Sequence, residues 1–378
     1  MKRLTDLPAE AVRGKRVLLR AGFDVPLDEK GEVGELYRIE RTLPTIERLR
    51  QAGAKTIILS HIGRDPEATN EPVGRALARR VPSTFVPDLA GGIARDAVNA
   101  MREGDIVLLE NLRRDPRETA NDPGFAAELA RLGDIYVDDA FTAAHRAHAS
   151  IVALPKLLPH YAGLLFATEA DQLSAARNPS HPSVAILGGA KFETKAPLVA
   201  ALLAQYDTVL LAGALANDVL AAKGFPVGRS LVSKEAPNAD VLAHPHFLAP
   251  VDVTAQAVDG HAMVKMPEAI LATDKIVDIG PDTVAALAPA LEAARFILWN
   301  GPTGLYEEGF TAYTHAIAEI IARRVDQGAK AVIGGGDTIA AIDGAGIAPE
   351  RLGFVSTGGG AMLEYLLDGT LPGIEALN

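Results

Sequence analysis

The chain has 378 residues, of which 48% are hydrophobic and 22% charged, and its formal net charge is −11. Because single hydrophobic cores stop growing near ~250–300 residues, this length predicts two domains. The acidic balance argues against nucleic acid or an anionic membrane as the main partner. The absence of cysteine excludes disulfides, zinc–thiolate sites and a thiol nucleophile, and it fits a cytoplasmic location. Neither a signal peptide nor a membrane span is expected, since no apolar run approaches ~18 residues.

The first half of the chain alternates short apolar runs with amphipathic stretches. The apolar runs predict strands at 17–19, 56–59, 84–86, 106–109 and 135–137. The amphipathic stretches predict helices at 43–52, 73–80, 93–101 and 123–132, the last with Asp122 as its N-cap and Pro123 in its first turn. This alternation predicts right-handed βαβ units around a parallel sheet.

The second half repeats the pattern. It follows a connecting helix predicted at 163–176, and the proline-containing segment 178–182 is expected to end that helix. Strands are predicted at 184–187, 208–211, 296–299, 331–333 and 354–355. Helices are predicted at 215–222 and from the glycine run 358–360 to Leu367. The expected fold class is α/β, with two doubly wound parallel-sheet (Rossmann-like) domains joined by a helix and hinge. The expected domains are 1–165 and 166–367, the second including the connecting helix.

Five strands of the second half are followed by glycine, including the runs 334–336 and 358–360 and the sequence Gly188-Gly189-Ala190. Ligands of open α/β sheets bind at the carboxyl ends of strands. Glycine lets backbone N–H groups approach a phosphate, and a helix N-terminus favours anions. The alternative is that the glycines only make tight turns. Their number favours phosphate binding, and since the P-loop and dinucleotide fingerprints are absent, a nucleotide site of another kind is expected.

Two lysines and an aspartate follow these glycines. Lys191 and Lys195 would share one face of a helix, where their repulsion is unfavourable unless an anion lies between them. A solvated surface pair is the alternative. Asp337, after the run 334–336, is predicted either as the N-cap of the next helix or as a ligand of Mg²⁺, and both roles are compatible.

Basic residues follow the strands of the first half. Arg20 ends the first strand and Arg38 is expected in the loop after it, while other strands are followed by His61, Arg64, Arg113, His145, Arg146 and His148. In one parallel sheet these strand ends point the same way, so the cations are expected to meet. Arginine suits bidentate recognition of phosphate and carboxylate. A lone arginine would favour a solvated surface role, but this series predicts an anion site.

Eight segments, in order, resemble the motifs of the phosphoglycerate kinase family: 20–27, 60–64, 109–113, 136–141 with 145–150, 188–195, 299–307, 334–338 and 356–361. The resemblance runs from about residue 12 to the C-terminus. It implies reversible phosphoryl transfer between 1,3-bisphosphoglycerate with ADP and 3-phosphoglycerate with ATP and Mg²⁺, as in glycolysis and gluconeogenesis. It also implies a monomer in which hinge closure excludes water, and a C-terminal tail, 368–378, that packs back on the N-terminal domain.

The resemblance assigns roles residue by residue. The N-terminal domain would hold the acid substrate with Arg20, Gly22, Phe23, Asp24, Arg38, His61, Ile62, Gly63, Arg64, Arg113 and Arg146. The C-terminal domain would hold the nucleotide with Gly189, Ala190, Lys191, Lys195, Gly213, Asn300, Pro302, Glu307, Gly335, Gly336, Asp337 and Thr338, and Asp337 would bind Mg²⁺. The catalytic residues would be Arg38, Lys191, Lys195, Gly359 and Gly360.

Four positions depart from the family's pattern: Gly22 and Asp24 stand where aspartate and asparagine are usual, Asp138 replaces an asparagine, and Thr168 replaces a lysine. Compensated drift is one interpretation, and altered substrate affinity or preference is the other. The second predicts a raised KM for 3-phosphoglycerate, which Gly22→Asp with Asp24→Asn would lower. An acyl-phosphate kinase of another small acid, a catalytically impaired nucleotide-binding relative and, least favoured, a nicotinamide dehydrogenase remain alternatives.

Overall fold

The computed structural model describes all 378 residues, and the chain divides into two compact units. The first comprises residues 1–171 and 370–378, and the second comprises residues 172–369. Each contains a six-stranded parallel sheet with helices, so the expected pair of Rossmann-like folds is confirmed. No helix combines the length and apolar character needed to cross a membrane.

The sheet of the first unit has the strand order β3-β4-β2-β1-β5-β6, with every pair parallel. Its strands are β1 (Arg16–Ala21), β2 (Lys55–Leu59), β3 (Thr84–Val86), β4 (Ile106–Leu109), β5 (Ile135–Asp139) and β6 (His160–Ala162). Its helices are α1 (Tyr37–Gln51), α2 (Glu71–Ala78), α3 (Gly92–Ala100), α4 (Pro116–Thr119) and α5 (Pro123–Ala130). As predicted, Asp122 caps α5, accepting the Phe125 amide at 2.8 Å.

Helix α1 begins at Tyr37 rather than Leu43, which corrects the expectation for Arg38. Arg38 lies in the first turn of this helix and not in the preceding loop. Pro44 lies inside α1. Because proline is usually confined to the first turn, its position made the sequence pattern predict too late a start.

The connecting helix α6 (Leu164–Arg177) contains the boundary between the units. Its N-terminus is fixed within the first unit by Asp139, whose Oδ1 accepts the Phe166 amide at 3.0 Å. Gly163 is required there, since a Cβ at that position would lie 2.2 Å from the same oxygen. Burial raises the pKa of Asp139 to about 7. Thr168 is exposed on α6 and its hydroxyl donates to the Leu164 carbonyl.

The parallel sheet of the second unit has the order β15-β14-β13-β7-β8-β9, and a three-stranded antiparallel sheet has the order β11-β10-β12. The strands are β7 (Ser183–Leu187), β8 (Thr208–Leu211), β9 (Phe247–Leu248), β10 (Val253–Gln256), β11 (Ala262–Lys265), β12 (Lys275–Ile279), β13 (Phe296–Asn300), β14 (Lys330–Gly334) and β15 (Phe354–Val355). The helices are α7 (Phe192–Gln205), α8 (Ala214–Ala222), α9 (Ala239–Leu242), α10 (Pro281–Ala293), α11 (Ala312–Asp326), α12 (Gly336–Ile342) and α13 (Gly360–Asp368). The small antiparallel sheet was not predicted, because its edge strand β11 is largely exposed and lacks a clear apolar alternation.

The last residues of the chain return to the first unit and form α14 (Pro372–Ala376). The Gly373 amide donates to the Ala144 carbonyl at 2.8 Å. A Cβ on Gly373 would lie 3.0 Å from Ala144 Cα, so a larger residue would force the tail or this turn to shift. The tail therefore supports the turn that leads to His145 and Arg146.

Candidate active site

The basic residues predicted after the strands of the first sheet gather around Arg20 on β1. This arginine is fully buried. Charged side chains are rarely buried unless they are paired, so its partners matter. Its guanidinium donates to Ser150 Oγ at 2.9 Å and to the Ala21 carbonyl at 2.6 Å. Its third contact, at 2.6 Å, is with His61 Nδ1. The sequence placed Arg20 at the site, but not in this fixed, enclosed orientation.

The contact with Arg20 determines the tautomer of His61. A guanidinium only donates, so Nδ1 must accept and the ring proton of neutral imidazole must lie on Nε2. Burial lowers the pKa of His61 to about 3, so the ring is neutral at physiological pH. Its Nε2 lies 3.5 Å from Asp24 Oδ2 and 3.2 Å from Arg146 Nη1. Two donors therefore face each other at Arg146, an arrangement that an anionic ligand would relieve.

Asp24 places a negative charge inside this cluster of cations. Its Oδ1 accepts the Gly63 amide at 2.9 Å, and its backbone carbonyl accepts a hydrogen bond from Arg38. Burial opposes ionisation, but hydrogen bonds from His61 and Gly63 and the charge of Arg38 hold the pKa of Asp24 well below its usual range. The carboxylate is therefore ionised and already neutralises part of the positive charge of the cluster.

Arg113 and Arg146 complete the cluster. Burial, followed by the charge of Arg146, lowers the pKa of Arg113, and burial also lowers the pKa of Arg146. Arg20, Arg38 and Arg64 all contribute to the repulsion felt at Arg146, so the structure brings the five arginines together as predicted. Arg113 donates to the Gly63 carbonyl, while its Nε is buried without a partner. This excess of positive charge can hold a phosphate and a carboxylate.

The remaining predicted residues of this edge form its frame. Phe23 is fully buried and its amide donates to Ser60 Oγ, while the Ile62 amide donates to Asn111 Oδ1. Gly22 follows β1 directly and lies against Thr142. Glu118, which no sequence pattern indicated, is buried near Arg20 and accepts hydrogen bonds from the amide and hydroxyl of Ser150. It lies in a polar segment, 113–119, whose composition gave no sign of burial.

The glycines of the second sheet divide into two kinds. Gly188, Gly213 and Gly301 pack backbone against backbone: a Cβ on Gly188 would lie 2.3 Å from the Pro302 carbonyl oxygen, and one on Gly213 would lie 2.8 Å from the Gly189 amide nitrogen. A Cβ on Gly336 or Gly359 would meet nothing within 4 Å. The first kind serves close packing, as the turn interpretation expected. The second kind leaves open space beside the first turns of α12 and α13, where a phosphate could approach.

Lys191 and Lys195 are close, but not in the predicted way. Lys191 is the N-cap of α7 and has a left-handed backbone (φ 64°), so the shared helix face was wrong. Lys195 lies in the first turns of α7 and its Nζ donates to the Ala190 carbonyl at 2.9 Å. Burial, followed by the charge of Lys191, lowers the pKa of Lys195. Two ammonium groups and a helix N-terminus thus converge after β7.

Asp337 is exposed in the first turn of α12, and the N-cap of that helix is Gly335, so the capping interpretation was wrong. Its Oδ1 accepts a hydrogen bond from the Tyr306 hydroxyl at 3.2 Å. Burial and the charges of Asp337 and Glu307 raise the pKa of Tyr306 to about 12. Tyr306 was not predicted as a site residue, although it directly precedes Glu307. No group of three or more candidate metal ligands exists. A single carboxylate fits Mg²⁺, which proteins often bind through one carboxylate and the substrate's phosphates.

Thr338 and Asn300 hold the ends of β13 and β14 together. Thr338 is fully buried, and its hydroxyl accepts the Gly301 amide at 2.7 Å while donating to the Gly334 carbonyl at 2.6 Å. A Cβ on Gly335 would lie 3.3 Å from Asn300 Nδ2. Pro302 is buried beside them and Glu307 is exposed in the following turn. The Thr338 hydroxyl is already engaged, so it orients the loops.

The sequence profile of the phosphoglycerate kinase family matches residues 5–369. The chain belongs to the phosphoglycerate kinase family. It is 42% identical to the phosphoglycerate kinase of Chloroflexus aggregans over 385 aligned positions, covering 96% of each chain. It is 41% identical to a phosphoglycerate kinase of Thermus thermophilus, covering 100% of both. The resemblance seen in the motifs is thus confirmed.

Solved structures agree with this assignment. Phosphoglycerate kinase from Coxiella burnetii superposes with a TM-score of 0.84 at 34% identity, covering 99% of this chain and 98% of the other. The enzyme from Pyrococcus horikoshii gives a TM-score of 0.87 at 29% identity, covering 100% and 98%. The phosphoglycerate kinase family consists of kinases that transfer a phosphoryl group to the carboxyl group of 3-phosphoglycerate, using ATP or ADP with Mg²⁺.

Proposed function

We propose that this chain catalyses reversible phosphoryl transfer between 1,3-bisphosphoglycerate with ADP and 3-phosphoglycerate with ATP. The observation that carries the proposal is the cluster of five arginines around a neutral His61, within a chain that matches the phosphoglycerate kinase family almost throughout. We assign the acid to the first unit and the Mg-nucleotide to the second. We also propose a cytoplasmic location and, since one chain supplies the residues for both substrates, a monomer.

The acid would be held by side chains. Arg38, Arg113 and Arg146 are half-buried with donors available to an anion, and Arg64 is exposed beside them. Arg20 is too enclosed to be the main contact, so its proposed role is to orient His61, whose Nε2–H is thereby directed at Asp24 Oδ2. Planar guanidinium groups match the geometry of phosphate and carboxylate oxygens, which supports binding of a molecule that carries both.

The nucleotide would be held mainly by backbone groups. The open space at Gly336 and Gly359 admits phosphate oxygens to the first amides of α12 and α13, and Gly189 with Ala190 offers a similar approach before α7. Lys191 and Lys195 would contact the phosphates, and Asp337 would hold Mg²⁺. Glu307 would bind the ribose, with Asn300, Pro302 and Gly213 bordering the nucleoside.

The proposed phosphoryl transfer requires little acid–base catalysis. The attacking oxygen of 3-phosphoglycerate belongs to a carboxylate that is already ionised, so no base is needed. His61 does not exchange a proton at neutral pH, because its pKa is about 3. Rate acceleration would come from alignment and from positive charge at the transferring group, supplied by Arg38, Lys191, Lys195 and the helix end at Gly359 and Gly360.

The alternatives are not favoured. The impaired relative would have lost its chemistry at Gly22 and Asp24, yet Arg38, Lys191 and Asp337, which are proposed to act on the phosphates, are all present. A steady-state assay with ATP, Mg²⁺ and 3-phosphoglycerate tests the proposal directly. Turnover with 3-phosphoglycerate above that with acetate, glycerate and aspartate is expected. Faster turnover with another acid would favour the general acyl-phosphate kinase, and ADP binding without turnover would favour the impaired relative.

A further inference from the structure

Gly22 and Thr142 form a tightly matched pair at the proposed acid site. Gly22 follows β1, and Thr142 lies in the turn Phe141–Ala143 that follows the neighbouring strand β5. A Cβ on Gly22 would lie 2.7 Å from Thr142 Oγ1 and 3.8 Å from Thr142 Cγ2. Because Cβ atoms do not approach oxygen so closely, the threonine occupies space that any larger residue at position 22 would need.

The position of this oxygen is informative because position 22 is usually aspartate in the family's motif, and the resemblance places that polar group near the hydroxyl on the middle carbon of 3-phosphoglycerate. An aspartate carboxylate oxygen is two bonds from its own Cβ, and Thr142 Oγ1 lies at nearly that separation from the Cβ position of Gly22. The side-chain oxygen missing at position 22 is therefore replaced by one that comes from the turn after β5. Compensation by a neighbouring element explains Gly22 better than simple loss of a contact.

The hydroxyl of Thr142 has no hydrogen-bond partner, although its oxygen is buried. Buried polar groups are normally paired, and a hydroxyl can donate one hydrogen bond and accept two. The residue as a whole is only half-buried, so its unpaired hydroxyl is available to a ligand at this edge of the sheet. Asp24 and His61, by contrast, are already engaged with each other and with Arg38 and Arg20.

We infer that Thr142 is a specificity-determining residue of the acid site, whose hydroxyl binds the hydroxyl on the middle carbon of 3-phosphoglycerate. Gly22 is glycine because it must admit this side chain. The inference rests on the proposed function, since it takes 3-phosphoglycerate as the substrate. It also revises the expected effect of Gly22→Asp with Asp24→Asn, because an aspartate at position 22 would collide with Thr142.

The test compares two ligands that differ by one hydroxyl. Dissociation constants of 3-phosphoglycerate and of 3-phosphonooxypropanoate, which lacks the middle hydroxyl, are measured by calorimetry on the full chain. Thr142→Val keeps the shape and removes the hydroxyl, so it should weaken 3-phosphoglycerate about tenfold or more and leave the analogue unchanged. Thr142→Ser should keep most of the preference for 3-phosphoglycerate.

A matched control is Thr56→Val. Thr56 also has a buried, unpartnered hydroxyl, but it lies near the amino end of β2 and away from the arginines. This variant should change neither constant, and thermal melting should show that all variants fold. Gly22→Asp alone should lose 3-phosphoglycerate binding, and adding Thr142→Gly should restore it.

The outcomes separate the two claims. If wild-type protein binds 3-phosphoglycerate but Thr142→Val affects both ligands equally, or neither, Thr142 does not recognise the hydroxyl and the inference is overturned while the function stands. Normal binding by Gly22→Asp alone would overturn the steric pairing. If wild-type protein does not bind 3-phosphoglycerate, the proposed function fails and the inference fails with it.

Discussion

The two candidate binding edges are built from different materials. The edge of the first sheet is made of side chains held by buried partners, as Arg20 is held by Ser150 and by His61. The edge of the second sheet is made largely of backbone, with glycines that allow either close packing or ligand approach. Charge and side-chain identity should therefore control ligand binding at the first edge, whereas backbone geometry and a few cations should control it at the second.

The largest expected effect is at the second edge, where few side chains carry charge. Lys191→Ala should lower kcat by about 100- to 1,000-fold, since it removes a cation proposed to stabilise the transferring phosphoryl group. Steady-state kinetics with saturating 3-phosphoglycerate and ATP measure this. Lys223→Ala, an exposed lysine after α8, is the control. A kcat within threefold of wild type would remove Lys191 from the catalytic residues.

The next effect concerns a buried carboxylate of the first unit, Asp138. Its Oδ1 accepts the Ala140 amide at 2.9 Å, while Oδ2 is buried without a hydrogen-bond partner. Burial raises its pKa to about 6, from an ordinary value of 3.8. The folded state thus binds the proton more tightly, so the cost of burying the charge is present above pH 6 and disappears as pH falls toward 4.

Asp138→Asn should therefore stabilise the protein at pH 8 by up to ~3 kcal/mol, and at pH 4.5 by only about 1 kcal/mol. Urea denaturation at both pH values measures the free energy of unfolding. Asp96→Asn, at an exposed position on α3, should show no such pH-dependent gain. An equal effect of Asp138→Asn at both pH values would mean that the carboxylate is not buried in its charged form.

A pair of glycine substitutions tests the division within the second edge. Gly188→Ala should lower stability by about 2 kcal/mol and the melting temperature by ~4–8 °C, because its Cβ would meet the Pro302 carbonyl. Gly336→Ala, in open space, should leave the melting temperature unchanged but raise the KM for ATP about tenfold. If both variants melt lower and bind ATP normally, the glycines serve packing alone.

Much of this arrangement could be predicted from the sequence. The fully buried strands read as apolar runs because their residues, such as Val17, Leu18 and Leu19, face helices on both sides. Residues just after such strands must lie at one edge, which placed Arg20, His61 and Arg113 correctly. What depends on contacts distant in sequence could not be predicted. The Gly22–Thr142 pairing and the left-handed backbone of Lys191 are set by neighbouring loops, and no local pattern reports them.

The smallest expected effect tests whether charge controls substrate binding at the first edge and not at the second. Asp24 is ionised among the arginines and competes with the anionic substrate for the same field. Asp24→Asn removes that charge, and its side-chain oxygen can still accept the Gly63 amide. The KM for 3-phosphoglycerate should fall about tenfold, equivalent to ~1.4 kcal/mol, with the KM for ATP unchanged.

Salt dependence shows whether this gain is electrostatic. Added salt screens charge, so the difference in KM between wild type and Asp24→Asn should narrow as ionic strength rises. Asp65→Asn removes the same charge from a nearby exposed position and should change KM little. A KM that rises in Asp24→Asn would mean that the ionised carboxylate orients His61 and Gly63 rather than competing with substrate. The first edge would then depend on a fixed internal anion as much as on its arginines, whereas Asp337 of the second edge is exposed.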